Sequence, residues 1–296
     1  MANLIASVRQ QLHPEFTINQ ELYEPLDIER ISTDDWSVER FIIEKKLSTA
    51  DAVQMIKETM RWRHYLCLTT LTESHFPREF YLLGTAFSSG SFDREGNGLL
   101  FLRTKFHRKM EEMKYLGEQY TAFMVEQLDR SLGRNRGVTI VFDASNSGYA
   151  NLDMESLGRL VQAISQYFPC GLKRLLVYEM LSIFSGLWSG IISHWLPAEF
   201  CSKVVFVNRK TIGSYISEED LPFYMGGRCM VNPHAVPEGC TRSFAEWGGV
   251  SSPEAEGNKF SEKAIKKAFK MWKPMLEMAK REEKELLSAI FSESGL

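Results

Sequence analysis

Several features that would place a chain in a familiar class of protein are missing from this 296-residue sequence. It has only five cysteines, an odd number that includes no C-x-x-C pair, and no signal-peptide pattern in "MANLIASVRQQLHPEF". We therefore expect reduced thiols in a cytoplasmic protein. The 35 basic and 38 acidic residues nearly balance. A protein that binds nucleic acid would be expected to show a strongly basic face, so no nucleic-acid partner is predicted.

Motifs for catalysis and for metal binding are also missing. The histidines show no H-x-x-x-H or H-E-x-x-H spacing, and there is no P-loop, G-x-G-x-x-G or G-x-S-x-G. "DREGNG" (93–98) resembles the start of a calcium loop, but Thr104 replaces the closing Glu, which favours a hairpin turn. Asp143 ends an apolar run without an identifiable base or metal partner, which favours a structural cap. The sequence predicts no enzyme, no metal site and no cofactor.

One long run contains no Asp, Glu, Lys or Arg: "MLSIFSGLWSGIISHWLP" (180–197). Serines recur along one side of a helix and large apolar residues along another, so the run predicts a two-sided helix. Its serines, glycines and single histidine make a poor membrane span, and its length is at the short end of what can span. Periodicity alone leaves two alternatives open, a core helix and a helix that faces lipid.

The order of helical and β-branched stretches predicts an α/β fold. Residues 1–75 have helical spacing, with a helix start near Ser48 or Thr49. Strands then alternate with helices, which is typical of a largely parallel sheet covered on both faces. The predicted strands are 98–104, 137–143, 174–179 and 202–208, and the helices lie around 115–133, 153–167 and 180–197.

A lysine-rich amphipathic helix is predicted after residue 257. Residues 76–240 would form the main domain, and 241–257 a linker by its Gly, Pro, Ser and Glu content. In 258–296 an apolar stripe opposes a face rich in lysine, and Pro274 should kink or split the helix. We expect the stripe to enter an anionic membrane, with lysines among the headgroups; docking of the stripe onto the N-terminal helices is the alternative. The stripe is Ile265, Phe269, Trp272 and Leu276, and the predicted membrane contacts include Phe269, Trp272, Lys266 and Lys270.

Six short motifs in order, over roughly residues 35 to 227, resemble the CRAL-TRIO lipid-binding family. "RFIIEKKLSTADAVQMIKETMRWRHYL" resembles the helical N-terminal segment of the family, and "FDREGNGLLFLR" its first strand. "GVTIVFDASNSG", "YFPCGLKRLLVYEMLSIFSGLW", "LPAEFCSKVVFV" and "YISEEDLPFYMGG" are similar to later family motifs at family spacing. The first strand and the closing motif are most similar to the CRAL-TRIO half of motile-sperm-domain proteins.

The resemblance implies a helical N-terminal segment on a mixed, largely parallel sheet that floors a lipid pocket. The run 180–197 would be the gate helix over this pocket, with an ordinary core helix as the alternative. Each acyl CH₂ moved out of water is worth about 0.8 kcal/mol, so such a pocket needs a large wall without charge. The expected pocket residues are Ile140, Phe142, Phe184, Leu187, Trp188, Ile191 and Ile192, and Trp195 is an expected membrane contact.

The resemblance also implies candidate headgroup residues. Family members that bind phosphatidylinositol use a Lys before the last strand and basic residues in the N-terminal motif, and Lys203 and Lys45 match these positions. Cys170 and Phe200 stand where those members have Glu and Thr, so the pattern does not indicate which lipid is bound. Solvated surface lysines are the alternative for Lys45 and Lys203.

The predicted function is therefore binding of a hydrophobic small molecule, in the first place a phospholipid, in an internal pocket. The protein would carry, present or sense this ligand at membranes as a cytoplasmic, peripherally membrane-associated protein. The alternative is a degenerate CRAL-TRIO module that serves as a membrane-targeting or protein-interaction scaffold without lipid exchange.

Overall fold

The computed structural model describes residues 1–134, 136–151, 153–180, 198–247 and 260–293. By contacts the chain divides into two compact units. The first consists of Met1–Leu71 together with Ser156–Leu172, and the second of Thr72–Glu155 together with Lys173–Leu296.

The first unit is helical. Side chains at helical spacing on its first, third and fourth helices are buried, among them Val38, Ile42, Ala52 and Ile56. Ser48 begins the fourth helix as predicted, because its hydroxyl accepts the backbone N–H of Asp51. The helices are α1 (Ala2–Ile18), α2 (Pro25–Thr33), α3 (Trp36–Glu44) and α4 (Thr49–Tyr65).

A later stretch of chain completes this unit. Helix α7 (Met154–Tyr167), numbered after two helices of the second unit, contributes Tyr167, whose ring stacks on Trp62 at 4.5 Å between centroids. Just beyond the helix, the carbonyl of Pro169 accepts a hydrogen bond from Arg40 at 2.8 Å. These contacts join segments that are about a hundred residues apart in sequence, so the helical unit is discontinuous in the chain.

The second unit is built on a five-stranded sheet with the strands in sequence order. The strands are β1 (Ala86–Phe92), β2 (Gly98–Arg103), β3 (Val138–Asp143), β4 (Leu172–Tyr178) and β5 (Val204–Val207). β1 pairs antiparallel with β2, whereas β2 with β3 and β4 with β5 are parallel. The predicted mixed, largely parallel α/β sheet is therefore confirmed.

The predicted hairpin turn joins β1 and β2. The carboxylate of Asp93 accepts the backbone N–H groups of Glu95 and Asn97 at 2.9 Å and the Thr139 hydroxyl at 2.6 Å. Burial acts to raise the pKa of Asp93, but the hydrogen bonds from Thr139 and Asn97 outweigh it and lower the pKa. Because this carboxylate is already used to close the turn, the hairpin interpretation holds and the calcium loop does not.

The two faces of the sheet have different surroundings. On one face Phe101, Val141 and Leu176 form a core with residues 212–225 of the chain after β5. On the other face α6 (Lys114–Leu132) packs on β1 and β2. This approach is close at Gly98, where a Cβ would lie 2.8 Å from the Leu132 side chain. The other α-helices among the described residues of this unit are α5 (Arg78–Leu83), α8 (Ala198–Cys201) and α9 (Glu262–Glu293).

The C-terminal helix α9 bears on two predictions. It runs from Glu262 to Glu293 through Pro274, so the proline does not split it in two. Trp272, predicted to enter a membrane, is only 4 % exposed and packs edge-on against Phe80 and Phe244. The stripe thus docks onto the region around α5, where Phe80 and Phe244 supply an aromatic surface.

Candidate functional site

Apolar side chains from four strands lie on the α6 face of the sheet. Strand register sets Leu100 opposite Ile140 and Leu102 opposite Phe142 in β2 and β3. Alternate residues of a strand share a face. Leu176 of β4 and Val207 of β5 belong to the core on the opposite face, so the residues next to them in each strand lie on this face. We call this surface the apolar sheet face; its members are Leu100, Leu102, Ile140, Phe142, Leu175, Val177, Val204 and Phe206.

Exposure on the apolar sheet face is greatest at Phe206 on β5, which is 44 % exposed. Ile140 on β3 and Leu175 and Val177 on β4 are buried, and Phe142 is half-buried. The α6 helix covers the β1 and β2 end of the face. The face therefore reaches solvent at its β5 edge.

Two of the predicted pocket residues lie in the part of the chain that the structure describes. Ile140 and Phe142 share one face of β3, as strand alternation predicted. The expected gate-helix residues lie outside the described residues, as does one predicted membrane contact. These residues are Phe184, Leu187, Trp188, Ile191, Ile192 and Trp195.

The candidate headgroup lysines are both half-buried. Lys45 follows the last residue of α3, and Lys203 lies in the turn before β5. The two belong to different units, so each is described by itself. Both side chains keep part of their surface in solvent, which agrees equally with a ligand contact and with a solvated lysine.

Cys170 and Phe200, where this sequence departs from the family motif, each make structural contacts. Cys170 adopts a left-handed backbone with φ of 57°, and its N–H donates to the Glu44 carboxylate at 2.9 Å. A carboxylate therefore lies beside this position although the residue is not Glu. Phe200, where the family has Thr, is 4 % exposed and is a core residue.

A buried ionic cluster at the carboxyl ends of β2 and β3 was missed by sequence reasoning. Glu282 of α9 accepts hydrogen bonds from Arg103 and Lys105, and lies 3.2 Å from Nε2 of His234. The side chains of Arg103, Lys105 and His234 are at most 6 % exposed. Burial acts to raise the pKa of Glu282, but the His234 hydrogen bond and the two cations hold it well below its usual range. We call these four residues the Glu282 cluster.

Aromatic rings sandwich the cations of the Glu282 cluster. The Arg103 guanidinium lies 4.6 Å from the Phe106 ring centroid and 4.2 Å from that of Tyr224. Nearby Asp143 caps the strand end as predicted, since its Oδ1 accepts the N–H of Ser145 at 2.9 Å. The arrangement gives the guanidinium two cation–π contacts in addition to its ion pair.

Within the residues that the structure describes, no group of three or more His, Cys, Asp or Glu side chains is arranged to hold a metal ion. In that same part of the chain, no helix is both long enough and apolar enough to cross a membrane.

Comparison with known proteins identifies the domain. Residues 84–227 match the family model of the CRAL/TRIO domain. These residues include the whole of the apolar sheet face, whereas α9 lies beyond them. This part of the chain is therefore similar to the CRAL/TRIO domain, and the family resemblance seen in its motifs is confirmed.

Curated relatives share part of their length with this chain. It is 24% identical over 239 residues to the phosphatidylinositol transfer protein CSR1 of Eremothecium gossypii, covering 70% of this chain and 52% of that protein. It is 25% identical over 214 residues to the CRAL-TRIO domain-containing protein C3H8.02 of Schizosaccharomyces pombe, covering 68% and 47%. Human tyrosine-protein phosphatase non-receptor type 9 is 20% identical over 264 residues, covering 84% and 42%. The chain spans about half the length of these relatives.

A solved structure has the same fold. The crystal structure of Sfh5 superposes with a TM-score of 0.53 at 12% identity, covering 91% of this chain and 96% of that one. At this identity the likeness describes the fold alone.

Proposed function

We propose that this protein binds a phospholipid, or a similar hydrophobic small molecule, against its apolar sheet face and carries, presents or senses it at membranes. The observation that carries the proposal is the layer of apolar side chains from four strands, which reaches solvent at Phe206. The similarity to a phosphatidylinositol transfer protein supports a lipid ligand. Binding, and not catalysis, is the proposed activity.

The size of the apolar sheet face suits acyl chains. About 0.8 kcal/mol is gained for each CH₂ that leaves water, so the gain for a tail of many carbons is large. This gain is kept only where the tail covers no polar or charged group, because burying such a group is costly. The face offers side chains from four strands and no polar group among its eight members. The run 180–197, which has no charged residue, is the proposed second wall of the pocket.

Membrane contact is proposed to be electrostatic and not insertive. Lys266 and Lys270 are exposed on α9, whereas Trp272 on the same helix is buried against the protein. A lysine near an anionic surface contributes about 1 kcal/mol, so several together attract the protein reversibly. We therefore propose a cytoplasmic protein that associates peripherally with membranes.

Mass spectrometry of lipid that co-purifies with the recombinant chain tests the proposal. The wild-type protein should retain lipid in a defined ratio, and Phe206→Asp should lose it while its circular dichroism spectrum stays native. Ile18→Asp is the control, because Ile18 is 75% exposed on the helical unit. Lipid retained by Phe206→Asp to the same extent as by the control would contradict a ligand at the apolar sheet face.

The second candidate is a CRAL-TRIO module that acts as a membrane-targeting or protein-interaction scaffold without lipid exchange. Cys170 and Phe200 favour it, since both replace polar headgroup positions of the family with structural contacts. A wild-type chain that purifies without lipid and takes none up from vesicles would support the scaffold over the carrier.

A further inference from the structure

The Glu282 cluster concentrates more hydrogen-bond donors than one carboxylate can use. Arg103 has five N–H groups and Lys105 has three. Arg103 Nη2 and Lys105 Nζ share the two oxygens of Glu282, while Arg103 Nε has no hydrogen-bond partner among the described residues. Arginine forks match phosphate as well as carboxylate, so this group of donors has the chemistry of an anion site.

His234 completes the group of donors. Its Nδ1 lies 2.9 Å from the carbonyl oxygen of Leu82, which can only accept, so Nδ1 carries a hydrogen. Its Nε2 faces Glu282 Oε2 at 3.2 Å and Arg103 Nη1 at 3.4 Å. Nε2 therefore points at the same place as the Arg103 and Lys105 donors, and an N–H there would be a third donor to an anion.

The charges of the cluster require an anion. Arg103 and Lys105 are buried, and both pair with the Glu282 carboxylate. A buried charge without a counter-ion is strongly unfavourable, so an anion that replaced the Glu282 carboxylate would take over its pairing with these two cations.

The position of the cluster is one where ligands bind in α/β sheets. Arg103 is the last residue of β2 and Asp143 the last of β3, and open α/β sheets bind ligands beyond the carboxyl ends of their strands. Glu282 comes from outside the CRAL-TRIO domain, whose family match ends at residue 227. The cations therefore belong to the domain, while the anion belongs to an added helix.

A cleft leads from solvent to this carboxylate. The cleft is shallow and ends at the Glu282 side chain. Glu282 is also the most exposed member of the cluster, at 21% of its side chain. Of the four residues of the Glu282 cluster, Glu282 and His234 line this cleft, so an anion would approach the cluster from their side as the Glu282 side chain moves away. The cleft is lined by Phe223, Tyr224, Val231, Pro233, His234, Glu282 and Leu286.

From these observations we propose that Arg103, Lys105 and His234 form a binding site for a phosphate group, and that Glu282 of α9 occupies the site as an internal substitute. A phosphate group that enters displaces Glu282 and loosens the C-terminal part of α9. The phosphate could belong to a lipid headgroup or to a small free anion, since both present the same oxygens.

The matched pair Glu282→Gln and Glu283→Gln tests the proposal. Both remove one negative charge from adjacent positions of α9, and Glu283 also contacts the loop before His234, accepting from Asn232 at 2.7 Å. Calorimetric titration with inorganic phosphate, against chloride at equal ionic strength, should show about tenfold tighter binding to Glu282→Gln, a difference of about 1.4 kcal/mol. Equal phosphate affinity in the two variants would overturn the proposal.

Thermal unfolding separates the site from a purely structural ion pair. Phosphate should raise the melting temperature of Glu282→Gln more than that of Glu283→Gln. Glu283→Gln is the reference, because excluded salts such as phosphate stabilise any folded protein to some extent. If Glu282→Gln does not fold in chloride, phosphate should restore its folding. In the wild-type chain, phosphate should increase hydrogen exchange in residues 278–290. The proposal is wrong if phosphate neither restores the folding of Glu282→Gln nor increases hydrogen exchange in the wild-type chain.

Vesicles distinguish the two sources of phosphate. Flotation with phosphatidylcholine vesicles, with and without phosphatidic acid, is compared for the two variants, which carry equal net charge. A greater response of Glu282→Gln to phosphatidic acid alone assigns the site to a headgroup, and a response to inorganic phosphate assigns it to a free anion. A pair that responds alike in both experiments contradicts the site.

Discussion

Trp272 of α9 packs edge-on against Phe244, with 5.2 Å between ring centroids and 67° between ring planes. The same indole meets Phe80 of α5 at 6.1 Å. Three aromatic side chains from separate parts of the chain thus share one cluster. The C-terminal helix is therefore an integral part of the second unit, and its apolar stripe is used inside the protein.

Replacing Trp272 with Ala should lower the free energy of unfolding by about 3–5 kcal/mol, because a buried aromatic ring leaves a large cavity. Chemical denaturation followed by circular dichroism measures the loss. Lys270→Ala, at an exposed position two residues away, should stay within about 0.5 kcal/mol of the wild type. Similar losses in both variants would contradict a structural role for the ring.

Acid should weaken the helical unit through Glu15. Hydrogen bonds from Tyr23 and Lys57 are the largest causes that lower the pKa of Glu15, from 4.5 to about 2. A depressed folded pKa gives stability above pH 4.5 that is lost as the pH falls towards 2. Glu15→Gln should cost about 1.5–3 kcal/mol at neutral pH, and the cost should fade across that window. Glu29→Gln, at an exposed position, is the control, and a constant difference at every pH would contradict the linkage.

The closing "MGG" motif should not tolerate a side chain at its second glycine. A Cβ on Gly227 would lie 2.0 Å from the carbonyl oxygen of Leu221, and this oxygen belongs to backbone that cannot rotate away. Gly227→Ala should therefore destabilise the protein by about 1–3 kcal/mol. At Gly213 the same substitution meets no atom within 4 Å and should be nearly neutral. Comparison of the two melting temperatures checks the prediction.

Reversing two lysines on the exposed face of α9 should weaken binding to anionic vesicles. The double variant Lys266→Glu and Lys270→Glu should float less with phosphatidylserine vesicles, and added salt should weaken wild-type binding in the same way. The double variant Lys173→Glu and Lys210→Glu, at exposed positions elsewhere, changes the net charge equally. Equal losses in the two variants would attribute binding to net charge and not to this face of α9.

The sequence predicts local features well and long-range pairings poorly. Four strands were predicted from their β-branched runs. β1 was not predicted, because "AFSSGSF" is rich in serine and glycine and pairs with β2 through its backbone. The apolar stripe of α9 was recognised, but a stripe does not specify what covers it, and Trp272 was assigned to lipid.

The Glu282 cluster shows the same limit for the candidate site. Arg103 and Glu282 are 179 residues apart, and neither stands in a motif that indicates a partner. Ile140 and Phe142, by contrast, share a face because of strand alternation alone, which is a local property. Side chains whose role depends on one strand were predictable, and those whose role depends on two distant elements were not.

The discontinuity of the helical unit has a consequence for biosynthesis. Helices α1 to α4 leave the ribosome first, but Tyr167, the stacking partner of Trp62, is translated only after residues 72–155. At ordinary rates of translation this interval is on the order of ten seconds. During that time the nascent helices present an unfilled apolar surface, so the early chain is a natural substrate for chaperones that bind it before the unit closes.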